Sequence, residues 1–320
     1  MILKDCIYGY IKVSDFIKKF IDVPQFQRLR YVKQLGICHH VYPSAVHSRL
    51  EHCLGTMHLA GVVVDHINNQ LPQEAIISPR ERQLIQLAGL YHDIGHYAYS
   101  HFFDDLAEAE LEDGQTLTCS PHHEARSVSI LQEVNDQLQE LTQEELEFVM
   151  SCILGNTHGD FRYHIVNNKQ CGIDVDKMDY LYRDAYHTNF PKFQSEYIIN
   201  CIRIKDNSIA FLPKAKDDLE QLFHTRKRMH QKVYQHGAAK KIEKIYWCMV
   251  KKLWPEIMKM DKPSDLEVDY LIRHSEDQEI NDLLSLIDTR RLQHDCERCQ
   301  DYHLEPYIVS SGKMDDIIWA

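Results

Sequence analysis

No stretch of this 320-residue sequence approaches the roughly 18–20 consecutive apolar residues needed to span a bilayer. Nor does the opening run Met1-Ile2-Leu3-Lys4-Asp5-Cys6 have the form of a signal peptide. Net positive charge is also lacking. The formal charge is −12, which argues against a general nucleic-acid or anionic-membrane binder. Strand signal is scarce, and there is neither an internal repeat nor a low-complexity linker. The ten cysteines are scattered rather than framed in pairs, a pattern of reduced thiols. The expectation is an intracellular protein, cytoplasmic or nuclear, built as one large domain or one domain with an appendage.

Helical periodicity is what the sequence does have. Residues 51–68 carry Leu54, Met57, Leu59, Val62 and Val63 at helical spacing. Ser78-Pro79-Arg80-Glu81 is a capping box with proline at the first helical position. It opens a helix that runs through an apolar stretch to His92-Asp93. Thr142 and Glu145 repeat the same start signal, and Gly155 is a stop. Residues 175–187 and 215–260 predict two further helices, the second long and broken at Pro255. Ser264-Asp265-Leu266-Glu267 opens another, followed by residues 280–292. Residues 201–212 predict one small β-hairpin. The acidic stretch 108–121 is expected to be a surface loop, and the tail from 293 to 320 to be loosely ordered. The fold class is therefore mostly α.

His92-Asp93 is the most informative feature. A histidine and an aspartate adjacent at a helix end can point a nitrogen and an oxygen at one cation. Two more ligands from other helices would close a site suited to Fe, Mn or Zn in Lewis-acid chemistry. His92, Asp93, His96 and His101 fall within ten residues, and a hydrogen-bonded buried polar network is the competing explanation. Asp176, Tyr180 and Asp184 lie at i, i+4 and i+8, on one helical face. An aspartate in a first helical turn also favours the macrodipole without binding anything. Arg226, His230 and Tyr234 repeat that spacing within residues 214–252, where eleven Lys/Arg face four Asp/Glu. Arginine's planar fork suits phosphate oxygens, although much of this face reads as solvated. Cys296 and Cys299, with His294 and His303, form a weak zinc candidate.

Several long motifs in order resemble the HD-domain dNTP triphosphohydrolases, most closely the catalytic core of the vertebrate members that also carry a sterile-alpha motif. They are PQFQRLRYVKQLG at 24–36, HSRLEHCLG at 47–55, GIDVDKMDY at 172–180, FHTR at 223–226 and YQH at 234–236. The resemblance covers residues 2–292 and implies an HD phosphohydrolase core over 1–292, with the metal-binding part at about 45–190. It implies metal ligands His52, His92, Asp93 and Asp176, and attack of an activated water on the α-phosphate that releases deoxynucleoside and triphosphate. His101 matches the acid for the leaving 5′-oxygen, supported by His96, Asp104, His123 and Glu124. Arg49, Lys177, Arg226 and His230 would hold phosphates. Gln34, Tyr180 and Asp184 would read the 3′-hydroxyl, Leu35 and Tyr234 would crowd the 2′ position, and Gln235 lies in the same motif. Mg²⁺ would accompany the substrate phosphates.

A regulatory guanine nucleotide, GTP or dGTP, would be read by Asp22, Gln27 and Arg30. Around a second regulatory nucleotide the family's asparagines are replaced by Lys4 and Asp218, and its arginines by Phe193 and Leu212. With most of the family's C-terminal lobe absent, the expectation is a homodimer whose nucleotide-driven tetramer activation is weakened. Two other readings stay open: an HD phosphohydrolase acting on nucleoside monophosphates or another phosphoester, and a catalytically weak nucleotide-binding relative that modifies a homologue's assembly.

Overall fold

The computed structural model describes residues 1–114, 117, 119–156, 159–292 and 314–320. The chain opens with a hairpin of β1 (Ile2–Asp5) and β2 (Gly9–Lys12), then the short helices α1 (Asp15–Ile21) and α2 (Pro24–Gln27). The central helices follow: α3 (Arg49–Asn68), α4 (Pro79–Tyr91), α5 (His101–Glu112), α6 (His123–Leu138), α7 (Gln143–Leu154) and α8 (Val175–Thr188). Helix α9 (Ser195–Asn200) leads into a second hairpin, β3 (Ile202–Lys205) with β4 (Ser208–Phe211). Helices α10 (Lys216–Met229), α11 (Gly237–Lys252), α12 (Trp254–Ile257), α13 (Asp265–Arg273) and α14 (Gln278–Asp288) complete the order. No helix among the described residues is long and apolar enough to cross a membrane.

The local signals act as expected where they are strongest. At Ser78 the hydroxyl accepts the Glu81 N–H while the Glu81 carboxylate accepts the Ser78 N–H, and Pro79 starts α4. Thr142 and Glu145 do the same for α7, which Gly155 ends in the left-handed conformation. Asp206 and Asn207 both have positive φ, the geometry a two-residue type I′ turn demands between β3 and β4.

Three differences stand out. The N-terminal hairpin is a second small β-ribbon that the sequence reading did not anticipate. The stretch 108–121 is not all loop, because α5 continues to Glu112. Lys251 pairs with Glu110 and Asp113 at that end, so a contact from α11 supports a turn too acidic to signal helix by itself. The long helix expected over 215–260 breaks earlier than Pro255: residues His230–Tyr234 form a π turn and α11 restarts at Gly237. Pro255 sits in the first turn of α12, where its missing N–H costs nothing. Within the tail, residues 314–320 return to β4, with Ile317 buried and Phe211 N–H donating to the Ile318 carbonyl. Cys296, Cys299, His294 and His303 lie outside the described residues.

Helix α3 packs against both α4 and α8, which brings together the segments that carry His52, His92-Asp93 and Asp176. Tyr91, the last residue of α4, anchors this arrangement. Its fully buried ring lies between Phe20 and Phe26, and its hydroxyl donates to the Phe20 carbonyl at 2.8 Å. The residues just beyond it are therefore held at a fixed height in the core.

Candidate metal centre and hydrolytic site

A helix end leaves its last carbonyls without intrahelical partners. The turn that follows α4 adds further free carbonyls, and side chains rather than a glycine cap take them. Ser127 Oγ donates to the His92 carbonyl at 2.7 Å, Arg28 reaches the Ile94 and His96 carbonyls, and Arg126 Nε donates to the Gly95 carbonyl at 2.7 Å. The turn 92–96 is thus clamped both from the turn that follows α2 and from α6. Gly95 is needed for this approach, since a Cβ there would lie 2.2 Å from the His123 carbonyl oxygen.

The clamp presents His92 and Asp93 to His52 on α3 and Asp176 in the first turn of α8. His52 Nδ1 is 2.8 Å from Asp179 Oδ2, and His92 Nδ1 is 2.9 Å from the Gly89 carbonyl oxygen. Both partners are acceptors, so both Nδ1 atoms carry the proton and both Nε2 atoms offer lone pairs. Those two lone pairs face each other at 3.1 Å, and Asp176 Oδ1 is 3.2 Å from each. Three electron-rich atoms converging this closely repel unless a cation lies among them. Bonds of about 2.0–2.2 Å to a divalent ion give neighbouring ligand atoms separations of about 3–3.5 Å, so the residues present fit a metal. Asp93 lies beside this group of three, with one oxygen 3.5 Å from His52 Nε2 and the other 3.5 Å from His92 Nε2.

Burial works against charge on His52, yet bonds from Asp176 and Asp179 hold its imidazole up at about 10, so a proton on Nε2 competes with a metal ion for the lone pair that faces Asp176. Burial likewise opposes ionisation of Asp93 and Asp176, but neighbouring imidazoles, with Arg49 and Lys177, pull both carboxyls below the usual range.

A second cluster adjoins the first. His96, His101, Asp104 and His123 bring their ligand atoms within 4.8 Å of one another. Asp104 accepts from His123 Nδ1 at 2.7 Å and from Arg126. The His96 and His123 rings stack at 3.9 Å, and both His96 nitrogens are buried without a hydrogen-bond partner. Burial, then the charges of Arg49 and His123, pushes the His96 imidazole well down, so it stays neutral. His101 stands at the mouth, its side chain 69% exposed and its Nδ1 3.8 Å from Asp104. The two residues before it, Tyr99 and Ser100, both have left-handed φ, a strained pair. It is held by Asp265 accepting the Tyr99 N–H and by Ser100 Oγ donating to the Lys33 carbonyl. Glu124 lies at the rim, 3.6 Å from His123.

The residues expected to bind substrate divide into two groups. Arg49 is buried and donates to Asp93 and Ser100, and Lys177 Nζ donates to Asp174 at 2.7 Å. Both are therefore already paired with carboxylates here. Arg226 is buried with its Nε unpartnered, and Gln34 Oε1 is likewise unpartnered. His230 is pushed down to about 4, first by burial and then by the Arg226 and His101 charges. Tyr180 lies edge-on to His52 at 6.3 Å. Asp184 accepts from Tyr234 Oη and pairs with His47 Nε2, both at 2.7 Å. Leu35 and Gln235 are half-buried. Asp22, Gln27 and Arg30 line a separate pocket of about 710 Å³ together with Lys4 and Asp5. Phe193 is buried in the core, and Leu212 packs against it. Sequence reasoning missed Arg28, Arg126, Ser127, Asp179 and Arg183. Only Arg28 and Asp179 carried a signal, each lying inside a quoted motif.

Residues 49–184 match the HD domain family. A deoxynucleoside triphosphate triphosphohydrolase SAMHD1 homolog from Dictyostelium discoideum is 39% identical over 250 residues, 76% of this chain and 47% of its own length. A putative HD domain-containing protein, L394, from Acanthamoeba polyphaga mimivirus is 36% identical over 253 residues, 74% of this chain and 54% of its own. Human deoxynucleoside triphosphate triphosphohydrolase SAMHD1 is 35% identical over 271 residues, 76% and 43% respectively. The chain spans about half the length of the curated relatives it matches. The matched segment begins at Arg49 on α3, ends at Asp184 on α8 and encloses His52, His92, Asp93 and Asp176. On this convergence the chain carries an HD domain over residues 49–184 and is similar to the SAMHD1-type deoxynucleoside triphosphate triphosphohydrolases.

Proposed function

We propose that the chain hydrolyses dNTPs to deoxynucleoside and inorganic triphosphate. The observation that carries this reading is the convergence of the His52 and His92 lone pairs with Asp176, beside a second cluster able to move a proton. His52, His92, Asp93 and Asp176 would hold one divalent transition metal. When bound, it supplies Lewis-acid activation of water and positive charge for the phosphate oxygens.

The chain's own residues supply the rest. Arg226 and His230 would serve as donors for phosphate oxygens. As water attacks the α-phosphorus, the bond to the 5′-oxygen breaks and that oxygen needs a proton. His101 at the mouth is the donor, and Asp104, pinned by Arg126 and His123, stabilises the imidazolium that gives it up. Tyr180 and Asp184 then border the sugar. The pocket lined by Asp22, Gln27 and Arg30 would take a guanine nucleotide regulator. Apolar Phe193 and Leu212 weaken any further regulatory phosphate site, because arginine bonds to phosphate are typically worth about 1.5–3 kcal/mol each. The resulting assembly would be a homodimer with weakened nucleotide-driven tetramer activation.

The test is incubation of Mn²⁺- or Fe²⁺-loaded protein with each dNTP, with and without GTP, followed by chromatography. Deoxynucleoside with intact triphosphate is expected, and Asp176→Ala abolishes it. Release of orthophosphate instead would replace this reading with another phosphoesterase activity. A steep GTP requirement with nucleotide-driven tetramers would overturn the regulatory part alone.

A further inference from the structure

One buried chain of ionic bonds runs from the metal centre to the N-terminal hairpin. His52 Nδ1–H donates to Asp179 Oδ2 at 2.8 Å. Arg183 grips Asp179 with two arms, Nε to Oδ2 at 3.0 Å and a terminal nitrogen to Oδ1 at 2.9 Å. Its other terminal nitrogen donates to Asp5 Oδ2 at 2.9 Å. Asp5 Oδ1 accepts the backbone N–H groups of Ile7 and Tyr8, at 2.8 and 2.9 Å, which fixes the turn between β1 and β2. His52, Asp179 and Arg183 are fully buried, and the Asp5 side chain is only 7% exposed. Tyr8 covers the chain from the hairpin side, with the Arg183 guanidinium 5.8 Å from its ring.

Gly55, one turn after His52, makes room for this chain. A Cβ there would lie 1.9 Å from Asp179 Oδ1 and 2.4 Å from an Arg183 nitrogen. The alternation of carboxylate, guanidinium, carboxylate and imidazole is complete, and each member is fixed by the next. Without Asp5, the Arg183 charge would fall on Asp179 alone. That would draw electron density away from the His52 ring and leave the guanidinium free at one end. Partners of this kind set the tautomer and donor strength of a metal-binding histidine.

We propose that Asp5 in the N-terminal hairpin is a positioning residue for the metal centre, acting through Arg183 and Asp179 on His52, so that hairpin order and divalent-metal affinity are linked. This rests on the metal-centre reading above. The link is reciprocal, because any coupling of two equilibria acts in both directions. A bound ion tightens the β1–β2 turn, and disorder of the turn releases the ion.

The probe is Mn²⁺ alone, titrated into metal-stripped full-length protein well below its melting temperature, with free Mn²⁺ read by electron paramagnetic resonance. Asp5→Asn keeps an acceptor for the turn and removes the charge. It is expected to weaken Mn²⁺ binding by about three- to tenfold, at or below the 10–100-fold typical of direct partners of a ligand. Asp261→Asn, on an exposed side chain, leaves binding unchanged. Mn²⁺ is also expected to slow hydrogen exchange at the Ile7 and Tyr8 amides in wild type, and not in Asp5→Asn. Gly55→Ala, which must displace the Asp179–Arg183 pair, should weaken binding further. If Asp5→Asn does not fold, Asp5→Glu gives the same comparison with a longer arm. Unchanged Mn²⁺ affinity in the folded Asp5 variant, with Asp176→Ala still abolishing binding, overturns the inference and leaves the metal centre standing. Failure of the wild type to bind Mn²⁺ overturns both.

Discussion

Gly95→Ala is the sharpest test of how the site is built, because one methyl group meets backbone on the opposing helix. The new Cβ would lie 2.2 Å from the His123 carbonyl oxygen and 2.4 Å from the Ser127 nitrogen, at the first turns of α6. Neither contact can be relieved by rotating a side chain. Ordinary contact therefore requires α6 to retreat by about an ångström, since interiors are packed without spare volume. Overpacking of this kind costs about 1–3 kcal/mol. The Arg126 and Ser127 bonds to residue 95 weaken with it, at about 1 kcal/mol each. A total of about 3–5 kcal/mol corresponds to a melting temperature lower by about 4–7 °C in a chain of this size.

The functional effect should be larger than the effect on stability. His123 rides on α6, and its displacement pulls Asp104 and the stacked His96 out of register with His101. A misplacement of about 1 Å typically costs about 100-fold in rate. The four residues proposed to hold the metal lie on α3, at the end of α4 and on α8, so Mn²⁺ affinity should fall far less than turnover. Calorimetry, Mn²⁺ titration and dNTP turnover on the same preparation separate these effects. Gly237→Ala is the control: a Cβ there meets nothing within 4 Å, and its effect should be neutral. A Gly95→Ala protein with wild-type melting temperature and wild-type turnover refutes the reasoning.

Three further outcomes follow from the same structure. Ser78→Ala removes one half of a complete capping box and should cost about 1 kcal/mol in urea unfolding; no change in midpoint would mean that α4 is held by packing alone. Saturating Mn²⁺ at about 100 times its dissociation constant should stabilise the fold by about 2.7 kcal/mol, and chelation or Asp176→Ala should remove that increment. Burial pushes the Asp265 carboxyl up to about 6, with the Lys33 ammonium and two backbone N–H groups pulling the other way. The native state then holds this proton between about pH 4 and 6 where the unfolded chain has released it, so the group's contribution falls as pH rises through that window, by about 3 kcal/mol in all. Asp265→Asn should make the stability–pH curve rise more steeply over that range, and parallel curves would refute the assignment.

How much of this was legible depended on whether the cause was local. The capping boxes at Ser78 and Thr142, the αL stop at Gly155 and the two-residue turn at Asp206-Asn207 are decided within a few residues, and the sequence shows them. The His92-Asp93 pair was legible because an apolar helix that ends in titratable groups is unusual at any length. The N-terminal hairpin was not, because four-residue strands give too short an alternation. Its turn is also tied to Arg183, 178 residues away. The end of α5 and the π turn at 230–234 depend likewise on contacts from other helices. The clamp on the 92–96 turn illustrates the limit best. Arg28, Arg126 and Ser127 carry no metal-ligand chemistry, and only the folded chain reveals that they satisfy carbonyls next to one.

The π turn has a consequence for the sugar side of the site. An i, i+4, i+8 spacing assumes 3.6 residues per turn, and one wide turn rotates everything after it. Tyr234 is thereby not simply in line with Arg226 and His230. Its hydroxyl instead donates to Asp184 Oδ2 at 2.7 Å while His47 occupies the other oxygen. Tyr234 then has two separable roles, an aromatic wall and an anchor for Asp184. Tyr234→Phe keeps the wall and removes the anchor, a hydrogen bond to a charged group worth about 1.5–3 kcal/mol. If the bond is needed to orient Asp184 toward a 3′-hydroxyl, kcat/KM for dNTPs falls by about tenfold or more, while the preference for dGTP over GTP is kept. Tyr234→Ala removes both and should narrow that preference. The comparison uses initial rates on dGTP and GTP for the three proteins. Loss of the deoxy preference in Tyr234→Phe would mean that the hydroxyl and not the ring excludes the ribonucleotide, and the division of roles would be wrong.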